Sequence, residues 1–249
     1  MDLKSAVAIV TGGNGGLGQR ICHALATAGT HIAVVYAQSA NEAGKVADDL
    51  CKRGVEAEPF QCDLRQPAQI QTLVDDVMGR FGRIDILIND AAYNKSIPFK
   101  DLDGLTTEEW TKIIDVNLTA PMHMIKAVAP VMKQQGRGRI VNISSVAGLG
   151  PSGSSIAYAV SKAGLIHLTR CMAVALAPQV LVNCVAPGLL EGTRSTANLA
   201  QAQIDHANAA ALLKRAADKD DVADQVVTMC RTETMTGQTV AIDSGRIFH

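Results

Sequence analysis

Thr11-Gly12-Gly13-Asn14-Gly15-Gly16-Leu17-Gly18 follows the apolar run Ala6-Val7-Ala8-Ile9-Val10 and opens a helical stretch over residues 16–28. A strand, a glycine-rich turn and a helix in that order decide the reading of the fold. The backbone N–H groups at the head of a helix attract phosphate. Glycines let the chain turn tightly and let a pyrophosphate come close. A glycine run alone is weak evidence, but between a strand and a helix at the start of an α/β pattern it is strong.

Working outward, β-branched runs alternate with helical stretches along the whole chain. The runs are 6–10, 31–36, 57–61, 84–89, 139–144, 181–186 and 239–242. The helical stretches are 16–28, 40–51, 67–81, 107–135, 158–177 and 221–229. Near-continuous apolar strands separated by helices mean a parallel sheet covered on both faces. Pro121 and Pro130 predict a kink in 107–135. The expectation is one Rossmann-type, doubly wound α/β domain over residues 1–249, with seven parallel strands. No linker or change of composition divides the chain. The segment 188–211 falls outside the rhythm and follows a late strand, where it reads as a lid over a site.

Composition narrows the function. Of 249 residues, 47% are hydrophobic and 19% charged, which excludes a disordered chain. Lys+Arg is 23 against Asp+Glu 24, so the basic surplus of a general nucleic-acid binder is missing. No apolar run has the length of a membrane span, and the start of the chain does not read as a signal peptide. The six cysteines contain no C-x-x-C pair and sit mostly among apolar residues. These features lead us to expect a cytoplasmic protein with no metal site, no nucleic-acid partner and no membrane partner.

In dinucleotide-binding folds, an acidic residue after the second strand holds the adenosine ribose. Here that region reads Val35-Tyr36-Ala37-Gln38-Ser39, without a carboxylate or a base. Gln38, Ser39 and Asn41 offer hydrogen bonds to a 2′-phosphate that no carboxylate repels, so the reading favours NADP(H) over NAD(H). Asp63, after the third strand, is placed to reach the adenine amino group. Tyr158 and Lys162 are four residues apart and share a helix face. A neighbouring ammonium favours the phenolate and lowers the tyrosine pKa from its usual ~10. Such a tyrosine is an acid or base near neutral pH. Ser145, just past the fifth strand, is placed to donate to the same substrate oxygen. A Tyr-x-x-x-Lys pair by itself is also common on helix surfaces that do no chemistry.

Taken together, the Thr-Gly-x-x-x-Gly-x-Gly pattern at 11–18, Asn117, Ser145 and Tyr158-x-x-x-Lys162 resemble the short-chain dehydrogenase/reductase family. The likeness extends to Thr236-Gly237-Gln238 and the run after it. It implies that Tyr158 exchanges a proton with the substrate oxygen and that Ser145 polarises the carbonyl. Lys162 would hold the nicotinamide ribose and depress the tyrosine pKa, and Asn117 would bind a relay water. The cofactor set implied is Gly12, Asn14, Gly15, Gly16, Leu17 and Gly18 at the turn, then Tyr36, Gln38, Ser39, Asp63 and Leu64. Further along, Asn89, Ala91, Tyr158, Lys162, Pro187, Gly188 and Leu190 complete it. Most members are homodimers or homotetramers that pair through their two long helices, here 107–135 and 158–177.

The chain departs from the family pattern in places. Asn-Asn-Ala-Gly after the fourth strand reads Asn89-Asp90-Ala91-Ala92, and the threonine expected after Pro187-Gly188 is displaced to Thr193. For substrate, Tyr93, Leu149, Ser145 and Tyr158 are the leading contacts. Ala92, Asn94, Pro151, Gly153, Ser155 and Leu189 line the same region, with Lys95 and Arg194 at the rim. This mostly neutral lining suits an uncharged ketone or secondary alcohol. The expected activity is NAD(P)-dependent hydride transfer between such a pair. The alternatives are a 3-oxoacyl-carrier-protein reductase, a sugar, polyol or cyclic-alcohol dehydrogenase, and a non-catalytic dinucleotide sensor.

Overall fold

The structure is a computed structural model, and it describes residues 1–193, 196, 197, 199 and 201–248. Among the described residues, seven strands form one sheet: β1 (Val7–Thr11), β2 (His31–Tyr36), β3 (Ala57–Gln61), β4 (Ile86–Asn89), β5 (Gly138–Ile143), β6 (Val180–Pro187) and β7 (Thr239–Ile242). Every pairing is parallel and the order is β3-β2-β1-β4-β5-β6-β7. The helices are α1 (Gly18–Thr27), α2 (Ala40–Cys51), α3 (Pro67–Phe81), α4 (Thr107–Ile114), α5 (Ala120–Gln134), α6 (Ile156–Leu176), α7 (Gln201–Ala210) and α8 (Lys219–Arg231).

Strand alternation feeds two cores. Ala8 and Val10 of β1 face a cluster with Ile21 and Leu25 of α1 and Val222 and Val226 of α8. Val7 and Ile9 face the opposite cluster, with Leu73 and Val77 of α3 and Met124 and Val128 of α5. Both faces are therefore apolar, as a parallel sheet covered on both sides requires. Helix α6 is apolar for the same reason: its window hydropathy of 1.2 matches a membrane span by composition, but its inner face packs on β6 and carries Lys162.

One expected element differs. The single helix over 107–135 is α4 and α5 joined by a π-helical turn, Asp115–Thr119, while Pro130 lies inside α5 without interrupting it. Pro121 has no N–H to give the Asn117 carbonyl, so α-helical hydrogen bonding is lost there. The chain moves outward from β1 through β2 and β3, then returns to β4 beside β1. A crevice opens at the carboxyl ends of the strands at this reversal, where open α/β sheets hold ligands.

Candidate active site

A cleft of about 1310 Å³ occupies that crevice. It exceeds the roughly 300–1,000 Å³ of a one-ligand pocket, which leaves room for a cofactor and a substrate together. Its floor is the glycine-rich turn. Gly12 has φ +68°, and a Cβ on Gly18 would stand 2.2 Å from the Gly12 carbonyl oxygen, so neither position admits a side chain. The head of α1 has no side-chain cap and no acidic residue in its first turn. Its amides are suited to a phosphate, and the residues present fit a dinucleotide.

At the adenosine end, Tyr36, Gln38, Asp63 and Leu64 line the cleft. Asn14 Nδ2 donates to the Gln38 carbonyl at 3.1 Å and ties the turn to the segment after β2. Arg65 also lines this end. It donates to Asp63 through Nη2 at 2.7 Å and holds that carboxyl below its usual range. The end of the second strand does not reveal this cation, which comes from Cys62-Asp63-Leu64-Arg65 after the third.

At the other end, Ser145, Tyr158 and Lys162 stand on one wall. Ser155 caps α6 by accepting the Tyr158 backbone N–H at 3.1 Å, so the start of the helix also sets the tyrosine. Ser145 heads a short 3₁₀ turn and accepts from Ala147 N at 3.2 Å. That turn packs directly on α6, since a Cβ on Gly148 would fall 2.6 Å from the Lys162 carbonyl carbon. Lys162 is 3% exposed, and its Nζ donates to the Ile143 carbonyl at 2.9 Å. Burial lowers its pKa to about 8, opposed by the charge of Asp90.

The expected lowering of the tyrosine pKa needs correction. The Tyr158 phenol is raised above its ordinary value, because enclosure disfavours the phenolate more than the hydrogen bond with Ser145 favours it. The ammonium lies 5.8 Å from the ring centroid and is engaged by the Ile143 carbonyl.

Several expected contacts lie outside the cleft lining: Gly18, Ser39, Asn89, Asn117, Leu149, Pro151 and Ser155. Ser39 takes a left-handed conformation at the start of α2. Asn89 Nδ2 donates to Asn142 Oδ1 at 2.8 Å and ties β4 to β5. Asn117 is fully buried: Oδ1 accepts from Tyr93 N, and Nδ2 donates to the Tyr93 carbonyl and Ser161 Oγ. Both of its amide N–H donors are used, and its Oδ1 already accepts one hydrogen bond. Lys95 pairs with Glu109 at 2.9 Å, and Arg194 lies outside the described residues.

Tyr93, Asn94, Gly153, Pro187, Gly188, Leu189 and Leu190 do line the cleft, as do Ala91 and Ala92. Thr193 lines it too, although its Oγ1 donates to the Leu190 carbonyl at 3.2 Å. Its backbone packs on the glycine turn, with its Cα 3.2 Å from a Cβ built on Gly16. Sequence reading gave no site role to Asp90, Lys112, His206 and Arg246, which enter the lining from the turn after β4, from α4, from α7 and from the segment after β7. Among the described residues, no cluster of His, Cys, Asp and Glu is arranged to hold a metal.

The sequence profile of the short chain dehydrogenase family matches residues 6–204. A 3-oxoacyl-[acyl-carrier-protein] reductase of Synechocystis is 34% identical over 254 aligned positions, covering 98% of each chain. Two solved structures superpose closely. An NADPH-dependent 3-quinuclidinone reductase from Rhodotorula rubra has a TM-score of 0.90 at 26% identity, covering 98% of this chain and 92% of that one. An NAD⁺-bound xylitol dehydrogenase has a TM-score of 0.89 at 27% identity, covering 98% of this chain and all of that one. The chain belongs to the short chain dehydrogenase family. It is an oxidoreductase that moves a hydride between a nicotinamide cofactor and a ketone or secondary alcohol.

Proposed function

We propose that this protein works as an NADP(H)-linked carbonyl reductase in which Tyr158 is the general acid, with the reverse alcohol oxidation open to it. The observation carrying this reading is the placement of the Ser145 hydroxyl, the Tyr158 phenol and the Lys162 ammonium on one wall, in a cleft continuous with the glycine turn. A bound nicotinamide supplies the hydride. Ser145 donates to the substrate oxygen, and Tyr158 gives it the proton. The raised phenol is well suited to staying protonated until the oxygen becomes basic. Lys162 holds positive charge behind the tyrosine and faces the cofactor ribose. A relay water at Asn117 would rest on the backbone carbonyl, which Pro121 leaves without an α-helical donor, while both side-chain N–H groups are engaged.

The cofactor preference rests on the missing carboxylate after β2 and on Arg65 at the adenosine end. The two superposed structures use different cofactors, so the choice is a property of these local residues. The segment 188–211, containing α7, serves as the substrate lid: Leu199, Ala202, His206 and Ala207 face the cleft. The chain acts as a cytoplasmic homodimer or homotetramer. Val160 and Val174 of α6 are exposed, Val174 at 84%, and offer an apolar face for pairing.

A 3-oxoacyl-carrier-protein reductase is the second reading. It is supported by the Synechocystis relative and by exposed Lys112 and Arg246 at the cleft, which suit an acidic carrier. Side-by-side fluorescence titrations with NADPH and NADH, followed by turnover on free ketones and on a carrier-bound 3-oxoacyl thioester, test these readings. Tighter NADPH binding with turnover of free ketones is expected. Tighter NADH binding would overturn the cofactor preference. Turnover of the carrier-bound substrate alone would favour the second reading, and binding without any turnover would favour a sensor.

A further inference from the structure

Asp90 carries an enclosed carboxyl in the cleft lining that the reaction above does not use. It stands directly after β4, where the family pattern has asparagine. Its backbone is pinned, since Asp90 N and Ala91 N both donate to Thr11 Oγ1, at 3.1 and 3.2 Å. Its side chain lines the cleft beside the glycine turn and the catalytic wall, and the Gly18 N–H at the head of α1 favours its charged form. A carboxylate there adds negative charge beside a helix head whose amides suit a pyrophosphate.

We propose that Asp90 is a positioning residue that couples cofactor binding to a proton: ionised, it opposes a pyrophosphate at the head of α1; neutral, it admits one. The inference rests on the cofactor reading of the cleft. Two anions at one helix head repel each other in a partly desolvated site, so the ligand is bound best when the carboxyl carries its proton. Desolvation raises the Asp90 pKa to about 7, even though Lys162 favours the ionised form. The other groups facing it do not supply the same proton. On α1, Cys22 is a buried thiol raised far above its usual range. On α6, Tyr158 is raised and Lys162 is lowered to about 8. On β6, Cys184, which faces Lys162, is raised to about 11. The neighbouring residues Thr11 of β1 and Ser144 after β5 carry hydroxyls that do not titrate in this range.

The signs follow from linkage. Binding favours protonated Asp90, so affinity falls as pH rises above the carboxyl pKa of the free protein and levels off only above its higher pKa in the complex. The test uses NADH rather than NADPH, because a phosphate monoester titrates itself near pH ~6. Binding is titrated from about pH 6 to about pH 8 on the intact protein and on Asp90→Asn. The infrared difference spectrum of NADH binding is recorded in parallel. For the native chain, affinity should weaken roughly threefold to tenfold across that range, and binding should produce the C=O stretch of a protonated carboxyl. Asp90→Asn should bind NADH more tightly than the native chain near pH 8 and should lack that band. Lysine and tyrosine titrations cannot produce the band, so its absence from the native spectrum overturns the proposal even if the variant fails to fold. A variant no tighter than the native chain near pH 8 also overturns it. Failure of NADH and NADPH to bind at any pH would instead bring down the cofactor reading itself.

Discussion

The two walls of the cleft are built differently. The β5–α6 wall pins each reacting group through buried elements: Ser155 caps at Tyr158, Ser144 Oγ donates to the Lys162 carbonyl at 2.8 Å, and Lys162 Nζ donates to the Ile143 carbonyl. The opposite wall contains α7, none of whose described side chains is buried. Its neighbourhood is held by contacts near the surface, such as Asn208 Nδ2 to Glu191 Oε1 at 3.1 Å and Thr196 Oγ1 to the Leu190 carbonyl at 2.8 Å. Proton transfer depends on fixed geometry at the ångström scale, whereas a substrate wall mainly has to fit and exclude water. On the proposed assignment, the catalytic wall draws on the core, and the substrate wall draws on a weakly buried segment, the kind that opens most readily.

This contrast yields predictions that fall in size from one wall to the other. Tyr158→Phe should lower kcat by about a thousandfold while leaving cofactor affinity within about twofold, as loss of a positioned acid requires. Retained turnover would remove the tyrosine from the chemistry. Lys162→Ala should lower kcat by roughly a hundredfold and weaken cofactor binding in a fluorescence titration, because it acts on both ligand and proton. Unchanged cofactor affinity would count against its contact with the ribose. Arg65→Ala, at the adenosine end, should reduce the preference for NADPH over NADH by up to about tenfold, the scale of one lost charge-assisted bond. An unaltered ratio would mean that Asp63 keeps the guanidinium to itself. Ser155→Ala should cost about 1 kcal/mol in a denaturant melt, the usual worth of a helix cap, and should lower kcat through a looser tyrosine. His206→Ala, on α7, should shift KM by less than about threefold with kcat unchanged, as truncation of one exposed wall residue permits. A fall in kcat comparable to that of Tyr158→Phe would break the division between the walls.

Local patterns carried much of this architecture. Most strands are visible as apolar, β-branched runs, because strands covered on both faces must be apolar; β3, Ala57-Glu58-Pro59-Phe60-Gln61 at the sheet edge, is partly exposed and has no β-branched residue. The glycine turn is legible because close backbone approach excludes a Cβ, and the Tyr158–Lys162 pair because four residues make one helical turn. The break at Asp115–Thr119 was less legible. Pro121 signalled a disturbance, but its effect falls upstream, at the carbonyl its missing N–H leaves behind. Asn117 could be nominated from sequence, but its hydrogen bonds with Tyr93 and Ser161 depend on contacts 24 and 44 residues away.

The sequence by itself determined the element order, the parallel sheet, the site of the glycine turn and the helical pairing of tyrosine with lysine. All of these follow from periodicity and spacing along one chain. Only the tertiary structure decided that Arg65, Lys112, His206 and Arg246 meet in one cleft. It alone decided that Asp90 faces the head of α1 and Lys162, and that the Tyr158 phenol is pushed up rather than down. Those outcomes depend on desolvation and on electrostatic fields between distant segments. Both are properties of the packed molecule, and no spacing along the chain encodes them.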